Sequence, residues 1–241
     1  MSADILDLAL GYPYPIPQTS YVVDKGAASG ITADDASSLR ENRTPVLAVG
    51  SNQSPDQVIR KFPGNDWPPI LCERCTVHDF DSVYSAHVTG YGSIASCLHP
   101  APGTQVSLYI NWLHDVHLAP MHVTELGNEN YVYAELSGIK IETEFGLTLD
   151  RIYFYCSTAG AYIPEGVPVP LAEIPATNRQ WEALRQTEIQ THVQIRTAAE
   201  QHFEEFVLKS VSDIDTRNFR KAEMRKLSLP FSHSGLRVIK S

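Results

Sequence analysis

Two stretches of this 241-residue chain hold residue types suited to acid–base chemistry at a carbonyl group. Val46-Leu47-Ala48-Val49 is an apolar run closed by Gly50-Ser51-Asn52, and Ser54-Pro55 then opens a helical pattern through Val58, Ile59 and Phe62. A strand that ends in Gly-Ser-Asn and turns into a helix can offer backbone N–H groups to a carboxylate or an oxyanion, because glycine permits close approach and helix N-termini favour negative charge. The same three residues also make an ordinary turn. The second stretch is Leu118-Ala-Pro-Met-His-Val-Thr-Glu125-Leu-Gly127, in which Leu118, Met121, His122 and Glu125 recur at helical spacing. If that face turns inward, burial raises the carboxyl pKa toward working pH, as a general acid or base requires; if the last turn lies near solvent, Glu125 is an ordinary surface glutamate.

Other reactive patterns are weaker. Cys72-Glu73-Arg74-Cys75 has the spacing of half a zinc site, with His78, Cys97 and His99 as further candidates. A structural zinc needs four ligands, and Cys97 and His99 make an irregular pair, so buried reduced thiols explain the residues at less cost and no metal site is assigned. The sequence has no Gly-x-Ser-x-Gly elbow, no Gly-x-x-x-x-Gly-Lys loop and no Gly-x-Gly-x-x-Gly fingerprint, which disfavours hydrolase triads and nucleotide chemistry.

The elements that must position these residues are legible as alternations. Strands are expected at 46–49, 80–88, 105–112, 131–144 and 151–156, with Val106, Leu108, Ile110 and Trp112 sharing a face. A helix is expected at 116–124, where Pro120 requires a late start or a kink. Residues 1–44, with the Pro13-Tyr-Pro-Ile-Pro17 run, read as an irregular arm wrapped on a barrel; Tyr12, Tyr14 and Tyr21 reach substrate only if that arm covers the cleft. Beyond residue 176, a capping box at Thr177-Asn-Arg-Gln180 and an apolar stripe of Ile195, Ala199, Phe203 and Phe206 predict one helix to about Lys209, then a second over 213–227.

Taken in order, Gly50-Ser51-Asn52, the Pro102-Gly103 before the strand at 106–112, the Glu125 segment and Tyr131 resemble the γ-glutamylcyclotransferase family. Its members run from a strand ending in Tyr-Gly-Ser-Asn, through a Pro-Gly before a strand, to Leu-Asp-x-x-Glu-Gly and a tyrosine a few residues later. The resemblance spans residues 45 to 165; Val49 stands where the family has tyrosine, His122 where it has aspartate, and Leu126 separates Glu125 from Gly127. It implies an α+β fold, a small mixed β-barrel with flanking helices at 45–176; it leaves both termini uncovered, where the residues themselves give the arm at 1–44 and a C-terminal helical extension at 177–241. It also implies that Glu125 is the catalytic acid/base, that Gly50, Ser51, Asn52 and Tyr131 bind substrate, and that the substrate is a small γ-glutamyl amine or peptide cyclised to 5-oxoproline. No metal or organic cofactor is called for. The alternative is the same barrel binding a ligand or partner without chemistry.

Composition sets the remaining expectations. With 43% apolar and 20% charged residues the chain is globular. Its net charge of −9 argues against nucleic acid as a partner, although residues 211–241 hold seven Lys/Arg against three Asp/Glu. The cluster Arg217, Arg220, Lys221, Arg225 and Lys226 reads as a solvated helix face. No stretch suits a membrane span, and residues 1–10 lack a leader's basic head and apolar run, which predicts a cytoplasmic protein with reduced cysteines, monomeric or homodimeric.

Overall fold

The computed structural model describes residues 2–127 and 130–240. Its centre is a closed five-stranded barrel, and the α+β mixed barrel expected from the sequence is present. The strands are β3 (Thr44–Ala48), β4 (Ile70–Val88), β5 (Ile94–Leu113), β6 (Tyr131–Thr143) and β7 (Thr148–Ser157). Pairing runs β4-β5-β3-β7-β6 and closes where β6 returns to β4 at Cys75↔Thr143 and Val77↔Ile141; the β3–β7 pair is parallel and the others antiparallel. Side-chain alternation explains the closure. Leu47, Val77, Val106, Leu108, Ile110, Trp112, Ile141, Ile152 and Phe154 belong to one buried cluster, while alternate residues such as Tyr109, Tyr133 and Tyr155 form a second.

β4 and β5 outrun the barrel. Their register shifts between His78 and Phe80, where Asp79 adopts a left-handed φ of 63° and its carboxylate accepts from the Gly103 amide at 2.7 Å. The projecting halves carry β8 (Ala161–Tyr162), and β10 (Ser228–Leu229) adds to β8; β9 (Ala176–Thr177) pairs with β5, and β11 (Leu236–Lys240) with β6. Helix α3 (Pro55–Lys61) follows a 3₁₀ turn at Ser51–Gln53, and α4 (Asp115–Leu126) packs Met121 against the outer cluster. Pro120 lies inside α4, neither in its first turn nor ahead of it. His114 and His117 bond reciprocally across the helix start, and this cap with the buried Met121 offsets the one lost backbone bond.

Residues 2–44 hold regular structure, contrary to expectation: α1 (Ser2–Leu10), β1 (Tyr21–Asp24), β2 (Ala27–Gly30) and α2 (Ala33–Arg40). Lys25 and Gly26, at φ 48° and 73°, make the two-residue turn of a hairpin, and β1 extends the sheet by pairing Tyr21 with Cys72. The C-terminal segment also differs. Thr177 lies in β9 and caps no helix, and the expected single helix is split into α5 (Gln186–Thr197) and α6 (Phe203–Ser212), which leaves Ile195 exposed. Helix α7 (Ile214–Arg225) starts on an Asp213 cap that accepts from Asp215 and Thr216. The basic cluster is not one solvated face: Arg220 is fully buried, donating to the Phe206 carbonyl and to Gln201, with its guanidinium over the Phe206 ring. No helix among the described residues is long and apolar enough to cross a membrane.

Candidate active site

The end of β3 delivers Val49 and Gly50 to a cavity of about 820 Å³ whose lining includes Gly50, Ser51, Asn52, Glu125 and Tyr131, the five site residues expected from sequence. Gly50 is required by space rather than by its dihedrals. A Cβ there would fall 2.1 Å from both the Ser96 Oγ and the Tyr12 hydroxyl. The loop is fixed from beneath: the Tyr21 hydroxyl donates to the Gln53 carbonyl at 2.9 Å and Asn111 Nδ2 to the Asn52 carbonyl at 3.1 Å.

Glu125, in the last turn of α4, is not free in solvent, and the Lys61 ammonium that pairs with it also reaches Met121 Sδ at 3.5 Å. Glu125 Oε1 accepts from Asn52 Nδ2 at 3.0 Å and forms an ion pair with Lys61 at the end of α3, with 14% of the Glu125 side chain exposed. The carboxylate thus joins the Gly50-Ser51-Asn52 loop to a cation. His122, one turn earlier on α4, faces away to β6 and β7, where its Nδ1 bonds the Tyr155 hydroxyl at 2.9 Å and its ring meets Tyr133 edge-on.

Tyrosines form much of the floor. The buried Tyr12 hydroxyl accepts from the Ser96 amide at 3.0 Å, bonds Ser96 Oγ at 2.8 Å and lies against the Ser51 backbone. Burial pushes its pKa up to about 12 and raises Tyr131 far above the ordinary phenol, with the Glu125 charge adding to both. Both phenols are therefore neutral hydrogen-bonding groups. Tyr14, by contrast, lies beneath the Arg60 guanidinium, and Tyr21 is buried under the loop.

The far wall was not legible in the sequence. His87 on β4 is 5% exposed, and its Nδ1 has no hydrogen-bond partner among the described residues. Burial, reinforced by Lys221, Arg225 and Arg217, pushes its pKa down to about 3, so the imidazole is neutral. Arg217 and Lys221 of α7 line the cavity beside it, and Arg60 and Lys61 line it from α3. Tyr12 lies 84 residues from Ser96, and α7 lies beyond residue 210, so local spacing carries no signal for either. The best available cue was the i, i+4 repeat of Arg217, Lys221 and Arg225.

Chemically, the cavity offers a carboxylate held by an amide and a cation, neutral phenols, and a cationic wall. It can take a proton from an ammonium, hold an oxyanion and bind an anion. Cys72 and Cys75 lie three apart on one strand, so they enter different buried clusters, and burial pushes the Cys72 thiol up to about 12. Among the described residues no three His, Cys, Asp or Glu side chains converge as metal ligands.

No family model matches the sequence, and no curated protein matches it. Solved structures do align with the fold. An uncharacterised protein from Homo sapiens is 13% identical over 75% of this chain and 99% of its own, at a TM-score of 0.41. The protein YkqA from Bacillus subtilis is 13% identical over 90% and 73%, at 0.34. A γ-glutamyl cyclotransferase is among the solved structures similar to this chain, at 14% identity over 81% of this chain and 93% of its own and a TM-score of 0.39.

Proposed function

We propose that the cavity cyclises a γ-glutamyl amide or peptide to 5-oxoproline and releases the amine. The observation that carries this reading is the bond from Asn52 to the Glu125 carboxylate, which holds a proton acceptor against the Gly50-Ser51-Asn52 loop in one cavity. Lys61 pairs with Glu125; the substrate's α-ammonium takes up that contact on binding. Glu125 accepts a proton from the ammonium, and the freed amine attacks the γ-carbonyl carbon as the carbonyl π electrons move to oxygen. N–H groups of the loop stabilise the oxyanion. Collapse of the intermediate re-forms the carbonyl and breaks the bond to the departing nitrogen, to which Glu125 returns the proton, and the ring nitrogen gives up its second proton through Glu125 to the released amine, which leaves as an ammonium. Each proton removed is restored, so no oxidant or further reactant enters.

A second reading, binding without chemistry, is favoured by one feature: Glu125 already has an internal cation. Release of 5-oxoproline from a panel of γ-glutamyl amides and peptides decides between them. Turnover falling at least a hundredfold in Glu125→Gln is expected, since positioned acid–base groups contribute roughly 10² to 10⁴; silence across the panel, or turnover indifferent to the substitution, rejects the cyclotransferase reading.

A further inference from the structure

The cation wall exceeds what the γ-glutamyl end of a substrate requires. Four cations line the cavity, Arg60, Lys61, Arg217 and Lys221, in a chain whose net charge is −9. Only Lys61 has a carboxylate partner among the described residues. Arg60 bonds Gln57 and covers Tyr14, and Arg217 donates to the Ser210 and Val211 carbonyls at 2.7 and 3.1 Å. Lys221, partly buried, makes no hydrogen bond or ion pair among the described residues.

The placement on α7 is costly to the free protein. Arg217, Lys221 and Arg225 follow one another at i, i+4 spacing, where like charges destabilise a helix. They face His87, whose buried Nδ1, unpartnered among the described residues, points to a hydrogen-bonding ligand. An anion seated between Lys221, Arg217 and His87 offsets the repulsion and pairs the imidazole together.

We propose that Arg217, Lys221 and His87 form an anion subsite for the departing amine, so that the preferred substrates are γ-glutamyl amides whose amine carries two negative charges. This rests on the cyclotransferase reading. Arg60, on the helix that follows the Gly50-Ser51-Asn52 loop, is left for the γ-glutamyl carboxylate, and the two cations of α7 that line the cavity without a carboxylate partner among the described residues set the charge of the departing group. A dicarboxylate and a phosphate share that chemistry.

Three substrates separate the cases: γ-glutamylglutamate, γ-glutamyl-O-phosphoethanolamine and the neutral γ-glutamylethylamide. Each dianion is expected to exceed the neutral amide in kcat/KM by about tenfold or more, as charge-assisted pairing predicts, with the margin shrinking as salt rises. The better of the two dianions names the source of the charge. In Lys221→Gln, which breaks no bond within the protein, the margin collapses toward unity; Arg217→Gln narrows it independently. Equal kcat/KM for all three substrates, or a margin that survives both substitutions, overturns the subsite. If none turns over, calorimetric binding of the same compounds still decides. Tighter binding of the dianions that Lys221→Gln abolishes retains the subsite while the cyclotransferase reading falls, and absent or charge-blind binding removes the subsite as well.

Discussion

Gly50 shows how little freedom the loop after β3 has. The Tyr12 hydroxyl and Ser96 Oγ occupy the space where a Cβ would stand, so Gly50→Ala must push the loop, the tyrosine or β5 out of place. Tyr12 is 4% exposed and cannot swing into water without vacating its hydrogen bonds to Ser96, each worth about 1 kcal/mol. Gly50→Ala is expected to lower stability by about 2 kcal/mol and to depress any 5-oxoproline release more than tenfold, since displacements near 1 Å are enough to lose orientation. Chemical denaturation and the turnover assay check the two effects; wild-type stability in Gly50→Ala would show that the packing yields readily. At this scale the sequence exposes one half of the site. Gly50, Ser51, Asn52, Glu125 and Tyr131 line one cavity because a strand end and a helix end are local patterns. Tyr12, Lys61 and His87 join them only when the barrel closes, and no spacing between those residues encodes that meeting.

Among the elements, α2 illustrates how the N-terminal segment is bound to the barrel. Arg40, at its end, forks onto Glu73 of β4, donating from Nε at 2.9 Å and from Nη2 to the second oxygen, while Trp112 of β5 donates to the same carboxylate at 3.0 Å. Glu73 is fully buried, and the Arg40 side chain is 16% exposed. Removing one partner strands a charge away from water, and Arg40→Met is expected to cost about 3–5 kcal/mol. Replacing both, as Arg40→Met with Glu73→Met, should recover most of that loss, because neither charge is then left alone. A double-mutant cycle in denaturant measures it, and a double variant no more stable than Arg40→Met refutes the argument. The strands of the barrel were readable because period-two alternation is imposed by having an inside. The hairpin of β1 and β2 was hidden: its four-residue strands are too short for periodicity, and β2 is exposed throughout. Its one signal was Lys25-Gly26, the left-handed pair of the turn. The break between α5 and α6 was hidden differently, since an apolar stripe drawn from Ile195 to Phe206 counts hydrophobic residues without seeing that Ile195 faces water.

Across the whole molecule, three buried histidines, His87, His99 and His117, have pKa values lowered chiefly by burial and make stability depend on pH in one direction. His87 is held down to about 3 by burial and by Lys221, Arg225 and Arg217; His117 is held down to about 4 by burial, Arg43 and His114, with its ring against Phe62 and Trp67. An unfolded histidine titrates near 6.5, so between that value and the folded ones the unfolded chain binds more protons. Their neutral burial therefore supports the fold fully above pH 6.5, and the support drains away as pH falls, at up to about 1.4 kcal/mol per pH unit for each group. Between pH 7 and 5 few carboxylates titrate, which isolates the histidine contribution. The unfolding free energy is expected to drop across that window, and His87→Gln and His117→Gln should each flatten the slope, whatever they do to stability at pH 7. Two of the three charges facing His87 from α7, Arg217 and Lys221, are those assigned above to the anion subsite, so the same curve tests the wall from another side. Burial is the first cause of the depression and Lys221 the largest charge added to it; in Lys221→Gln that charge is gone, His87 accepts a proton more readily in the folded state, and less stability is lost on acidification. A slope unchanged by both His87→Gln and Lys221→Gln would mean that the imidazole is not held neutral against these cations.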